Sequence, residues 1–161
     1  MTNAVEQAET PGDEATMARR RARMAVLARA ERDQLRRLWE RLDLDPECEL
    51  VRGPEVGLVA LRGRIGGGGA PFNVGEATVT RATVRLADGT LGHAAMLGRD
   101  GVKAKLAAII DALAGDEALG ARIDAEIIAP LEAELAAGDA RRAAEAAATR
   151  VDFFTMVRGD D

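Results

Sequence analysis

The chain is short of the residues that most protein chemistry uses. It has one cysteine, one histidine, one tryptophan, three phenylalanines and no tyrosine among 161 residues. A lone Cys48 excludes an internal disulfide framework, and with His93 alone beside it there is no Cys/His zinc site within the chain. A histidine-dependent triad would have to use His93. Lysine is nearly absent too: Lys103 and Lys105 stand against 20 arginines. The net charge of −5 argues against a nucleic-acid binder that relies on overall positive charge. No apolar run approaches the ~18 residues of a membrane span, and the first residues carry no secretory-type apolar stretch. A reduced, cytoplasmic location is the expectation. What is abundant is small: 33 alanines and 17 glycines, with arginine as the dominant cation.

Residues 1–15 hold Glu6, Glu9, Asp13 and Glu14 with little to bury, and read as a disordered leader. Residues 16–150 read as one α+β domain. From about Thr16 to Leu42, apolar residues at Met24, Leu27, Leu35, Leu38, Trp39 and Leu42 follow a helical period. Nine arginines share that helix with three acids, so its face is either a solvated surface or a docking site for an acidic or phosphate-rich partner.

The middle of the chain changes period to a small antiparallel sheet, about residues 49–97. Strands are expected at Glu49–Arg52 and Val56–Ile65, bracketed by Gly53-Pro54, then at Glu76–Leu86 and Leu91–Leu97. Asp88-Gly89 is the hairpin signal between the last two. The apolar phase slips between Val79 and Ala82, which a bulge near Arg81 explains, as does a strand covered on both faces. Helices follow. Val102, Leu106, Ile109, Ile110 and Leu113 mark one face, with Asp100 as N-cap. Leu119, Ile123, Ile127, Leu131 and Leu135 mark another, which Pro130 kinks or splits, and alanine-rich 140–149 suggest a further short helix. Residues 151–161 form an extended tail. Its Val151, Asp152, Phe153, Phe154, Met156 and Arg158 are an apolar, β-prone group that either the domain's own sheet or a partner chain must cover.

The densest polar stretch holds Arg62, Arg64, the glycine run 66–69, Glu76, Thr78, Thr80, Arg81 and Arg85. Glycines let backbone amides approach an anion, and arginine forks match phosphate oxygens. Arg64, Gly66, Gly67, Arg81 and Arg99 are therefore the candidate phosphate-binding residues, with a flexible hairpin connection as the alternative reading of the loop. No catalytic residue stands out and no metal ligands gather. Cys48, flanked by Glu47 and Glu49, has no basic neighbour to favour its thiolate.

Several stretches are similar to one family. Val56-Gly57-Leu58-Val59, Arg64-Ile65-Gly66-Gly67, Gly75 to Arg81, Asp88 to Gly92, Gly98-Arg99-Asp100, and above all Arg150 to Gly159 resemble the PhnG subunit of the bacterial carbon–phosphorus lyase system. The all-glycine run departs from the hydroxyl residue expected there. The resemblance implies a subunit of a core complex with PhnH-, PhnI- and PhnJ-type subunits. That complex takes ATP and methylphosphonate to α-D-ribose 1-methylphosphonate 5-triphosphate, displacing adenine. It implies no cofactor bound by this chain alone, no nucleic acid and no membrane. A purely structural assembly subunit without substrate contact is the alternative.

Overall fold

The computed structural model describes residues 11–64 and 68–149. Helices α1 (Pro11–Arg29) and α2 (Arg32–Arg41) precede three strands, β1 (Cys48–Gly63), β2 (Phe72–Leu86) and β3 (Leu91–Leu97). Helices α3 (Gly101–Leu113), α4 (Glu117–Ile123) and α5 (Ala129–Ala148) follow, with a π-helical turn at Asp124–Ile128. The sheet is antiparallel in the order β1-β2-β3, with α3 packed on one face. The expected α+β class is what forms.

Helix α1 begins at Pro11, inside the stretch read as a leader. The fixed φ of proline suits a first helical turn, and Glu14 there complements the helix dipole. The expected single helix from Thr16 to Leu42 is two. The chain turns at Ala30 and Glu31, where Glu31 is extended (φ −67°, ψ 136°). Apolar periodicity passes through that corner unbroken because Leu27, Ala30, Leu35, Leu38 and Leu42 all enter one core. Lys103 of α3 holds the corner, its Nζ donating to the carbonyls of Ala28 and Ala30 at 2.9 and 2.7 Å. Burial drives the pKa of Lys103 down, against the raising influence of Asp100.

The two short strands expected before the glycine run are one 16-residue strand. The phase slip belongs to β1, not to β2. The pairing steps from Leu50↔Val84 to Arg52↔Thr83 and then to Glu55↔Arg81, so Val51 is extra in the first step and Gly53 with Pro54 together oppose Ala82 in the second. Gly53 has φ +65°, and a Cβ there would lie 2.5 Å from the Glu55 nitrogen. Strand β2 pairs with β3 without a slip from Val79↔Leu97 to Arg85↔Leu91. Its core face is Thr80, Ala82 and Val84, all buried. The polar Thr80 breaks the apolar pattern while keeping the phase, because its hydroxyl donates to the Gly98 carbonyl at 2.6 Å and accepts from the Asp100 amide at 3.1 Å. Asp88-Gly89 makes the hairpin turn, with Gly89 at φ +89° and the Thr90 amide on Asp88 Oδ1.

Helix α3 meets the sheet through alanines more than through the large residues expected. Ala104, Ala107, Ala108 and Ala112 are buried with Ile109 and Ile110, whereas Val102 is exposed. Small side chains let the helix approach so closely that a Cβ on Gly92 would sit 2.0 Å from the Ala108 carbonyl oxygen. The run from Leu119 to Leu135 is split, as expected, next to Pro130: α4 ends at Ile123, the π-helical turn follows, and Pro130 sits in the first turn of α5. There Ala129 N–H reaches back to the Asp124 carbonyl, which accommodates the ring and missing amide donor of proline. Helix α5 then runs unbroken to Ala148, absorbing the separate helix expected at 140–149.

Candidate functional site

Outside the core, a cleft of about 410 Å³ opens between the N-terminal half of α1 and the sheet. Its apolar lining comes from Met17 and Met24 of α1 with Ala82, Ala94 and Ala95 of the strands. Four guanidiniums stand around it: Arg20, Arg21, Arg52 and Arg81.

The charges in the cleft are held by two acids. Asp111 of α3 receives Arg20 bidentately, Nε at 2.8 Å and Nη2 at 2.7 Å, and also accepts the His93 backbone amide at 2.8 Å. That carboxylate is nearly buried, and its hydrogen bonds raise the pKa of Arg20 against the opposing influence of burial. Glu55 of β1 is shared by Arg52 at 2.8 Å and Arg81 at 2.9 Å. Arg21 has no ion pair among the described residues. Four guanidiniums thus meet two carboxylates, an excess of two positive charges in a chain of net charge −5. His93 adds Nδ1 at 3.2 Å from Thr83 Oγ1. The arrangement can hold an anion against an apolar floor, and Thr83–His93 is its hydroxyl–imidazole contact. Among the described residues no group of three His, Cys, Asp or Glu side chains could hold a metal ion.

The candidate phosphate-binding residues are not brought together. Arg81 lies in the cleft. Arg64 stands just past the end of β1, where Gly63 pairs with Phe72. Nine residues of β2 separate that pair from Arg81, about 30 Å of extended strand. Arg99 sits in the β3–α3 connection, exposed. Its neighbour Asp100 already fills the α3 N-terminus, accepting the Lys103 amide at 2.9 Å and the Arg32 Nε at 2.7 Å. Burial would raise the Asp100 pKa, but these donors together hold it below the ordinary value. Gly66 and Gly67 lie outside the described residues, as do Val151, Asp152, Phe153, Phe154, Met156 and Arg158.

The arginine-rich first helices are explained mostly within the chain. Arg20 reaches Asp111, Arg23 reaches Asp124 and the Ala114 carbonyl, Arg29 reaches Asp139, and Arg32 reaches Asp100. Arg36 pairs with Glu40 on its own helix. They lock α1 and α2 to the C-terminal helices. Asp111 is the acid of the cleft that the reading of single residues passed over. Its signal is that it is the one acid in the apolar run of α3.

The fold and the cleft together define a small α+β protein that presents a cationic, apolar-floored surface suited to an anion. The chain belongs to the PhnG family: the family model described as "Phosphonate metabolism protein PhnG" matches residues 18–159. A curated relative from Rhizobium meliloti (strain 1021), alpha-D-ribose 1-methylphosphonate 5-triphosphate synthase subunit PhnG, is 55% identical over 152 residues, covering 92% of this chain and 95% of its own length. No helix among the described residues is long and apolar enough to cross a membrane.

Proposed function

We propose that this chain is the PhnG subunit of an α-D-ribose 1-methylphosphonate 5-triphosphate synthase complex, acting in phosphonate catabolism. The observation that carries this is the 55% identity to the Rhizobium subunit across nearly the whole of both chains. In that reaction a methylphosphonate oxygen bonds to ribose C1′ of ATP while the bond from C1′ to adenine breaks, and adenine leaves with a proton. The chain's partners are PhnH-, PhnI- and PhnJ-type subunits in the cytoplasm, and it binds no cofactor by itself. Residues 151–161, with Val151, Asp152, Phe153, Phe154, Met156 and Arg158, serve assembly.

Within this reading the residue best placed to meet phosphate or phosphonate oxygens is Arg81, in the cleft with Arg21 and Arg52. Arg64 and Arg99, and the backbone of Gly66 and Gly67, would meet such groups only through separate contacts. The test is growth on methylphosphonate as sole phosphorus source. Replacing Arg81 with Ala should abolish it while the complex still assembles, with Arg64→Ala and Arg99→Ala run in parallel. Normal growth of the Arg81→Ala strain would sink the substrate contact. The alternative is a structural subunit that never touches substrate. It requires that deleting 151–161 breaks assembly while the arginine changes do little.

A further inference from the structure

Strand β3 ends its pairing at Val79↔Leu97, but β1 and β2 continue together as far as Gly63↔Phe72. Beyond Val79 the sheet is therefore a two-stranded ribbon, residues 57–63 and 72–78. Cross-strand partners share a face, so Leu58 with Thr78 and Ala60 with Glu76 continue the side that carries Thr80, toward the helices. Val59 with Ala77 and Leu61 with Gly75 form the opposite side. Among the described residues both faces expose large apolar side chains, Leu58 (63% exposed) beside Thr78 and Glu76 on one, Val59 (42%) and Leu61 (43%) on the other. A two-stranded ribbon is at best marginal in water without a layer against it. The outer edge of β1 also leaves a row of backbone groups without a strand. Charge is confined to few positions, and Arg62 and Arg64 toward the tip have no ion pair among the described residues.

We propose that this ribbon is a docking arm, enclosed on both faces by a different subunit whose groove is apolar against Leu58, Val59 and Leu61 and acidic where it meets Arg62 and Arg64. The assignment rests on the reading of the chain as a subunit of a hetero-oligomer. A second copy packed ribbon on ribbon about a two-fold axis covers one face of each and leaves the other in water. Enclosure of both faces needs a chain with its own groove.

The test uses the full chain and a purified assembly of PhnH-, PhnI- and PhnJ-type subunits made without it. Leu58→Asp and Val59→Asp, one on each face, should each weaken binding at least 100-fold. Arg62→Glu should weaken it about 10-fold at low salt and less at high salt. Leu91→Asp, equally apolar and exposed at the far end of the sheet, should bind as the unaltered chain does. All four should melt within a few degrees of the unaltered chain. Unaltered binding by both Asp variants on the ribbon overturns the arm, and loss from only one overturns enclosure of both faces. A lower melting temperature for Leu58→Asp in isolation means the chain covers its own ribbon, and an unaltered chain that dimerises through these residues assigns the arm to a second copy; either overturns the partner. Failure of the unaltered chain to bind these subunits at all overturns the subunit reading and the arm with it.

Discussion

The two ends of the β1–β2 hairpin are built from the same strands and meet opposite surroundings. At the base, Thr80, Ala82 and Val84 are buried under α3, and the opposite face carries Arg81–Glu55 and Arg85–Glu49 pairs in water. At the projecting end neither face is covered by the described residues, yet Leu58, Val59 and Leu61 stay apolar. A one-sided sheet alternates apolar and polar residues; a strand apolar on both sides is one that expects cover on both. The base is complete within the chain, whereas the ribbon is half of an interface.

Glycines give the sharpest test of that contrast. Gly92→Ala at the base forces a Cβ against the Ala108 carbonyl and should cost about 3 kcal/mol or more in urea unfolding. Gly75→Ala on the ribbon meets nothing within 4 Å and should leave stability within about 0.5 kcal/mol. Equal losses at the two positions would break the distinction.

The arginine clamps should rank by burial. Arg23, with 12% of its side chain exposed, holds Asp124 at 2.6 Å and the Ala114 carbonyl at 3.0 Å, so Arg23→Ala should cost about 2 kcal/mol. Its guanidinium, outweighing burial, holds the Asp124 pKa below the ordinary 3.8. A carboxylate whose folded pKa is depressed contributes stability that is fully present above its unfolded value. That contribution disappears as pH falls through the folded value, below 3.8. Urea midpoints measured on either side of pH ~4 should show a steeper acid loss for the unaltered chain than for Arg23→Gln. Parallel curves would assign the acid sensitivity elsewhere. Lys103→Met, which strips the Ala28 and Ala30 carbonyls of their donor at the α1–α2 corner, should cost about 1–2 kcal/mol. At the small end, Arg29 and Asp139 are both about half exposed, and Arg29→Ala should cost less than about 0.5 kcal/mol. A larger loss would mean that α5 depends on that pair for its seat on α1.

Much of the fold was legible because it rests on period and turn chemistry. Strand β3, the Asp88-Gly89 turn and the Asp100 cap follow from local residue choice, and the core residues Leu27, Leu35, Ile110, Ile123 and Leu131 from helical spacing. What escaped was decided at a distance. The break after Arg29 has no helix-breaking residue; it is held by Lys103, more than seventy residues away. The slip assigned near Arg81 lies on the opposite strand, because an alternation read along one strand cannot say which member of a pair carries the extra residue. The site was half legible. Arg81 was singled out as an arginine beside a glycine-rich loop, but its cleft companions Arg20, Arg21, Arg52 and Asp111 are scattered from α1 to α3, and no spacing joins them.

By itself, the sequence determined the α+β class, the shortage of nucleophile, metal-ligand and aromatic chemistry, and, through its motifs, the family. These depend on composition and on short-range patterns that each segment carries with it. Only the tertiary structure decided that five of the nine arginines of the first two helices are engaged within the chain, that Arg64 and Arg81 stand far apart, and that the ribbon exposes Leu58 on one face and Val59 and Leu61 on the other among the described residues. The reason is physical: an arginine's partner, a cleft and an exposed face are properties of which segments meet across space, and no local pattern encodes that meeting.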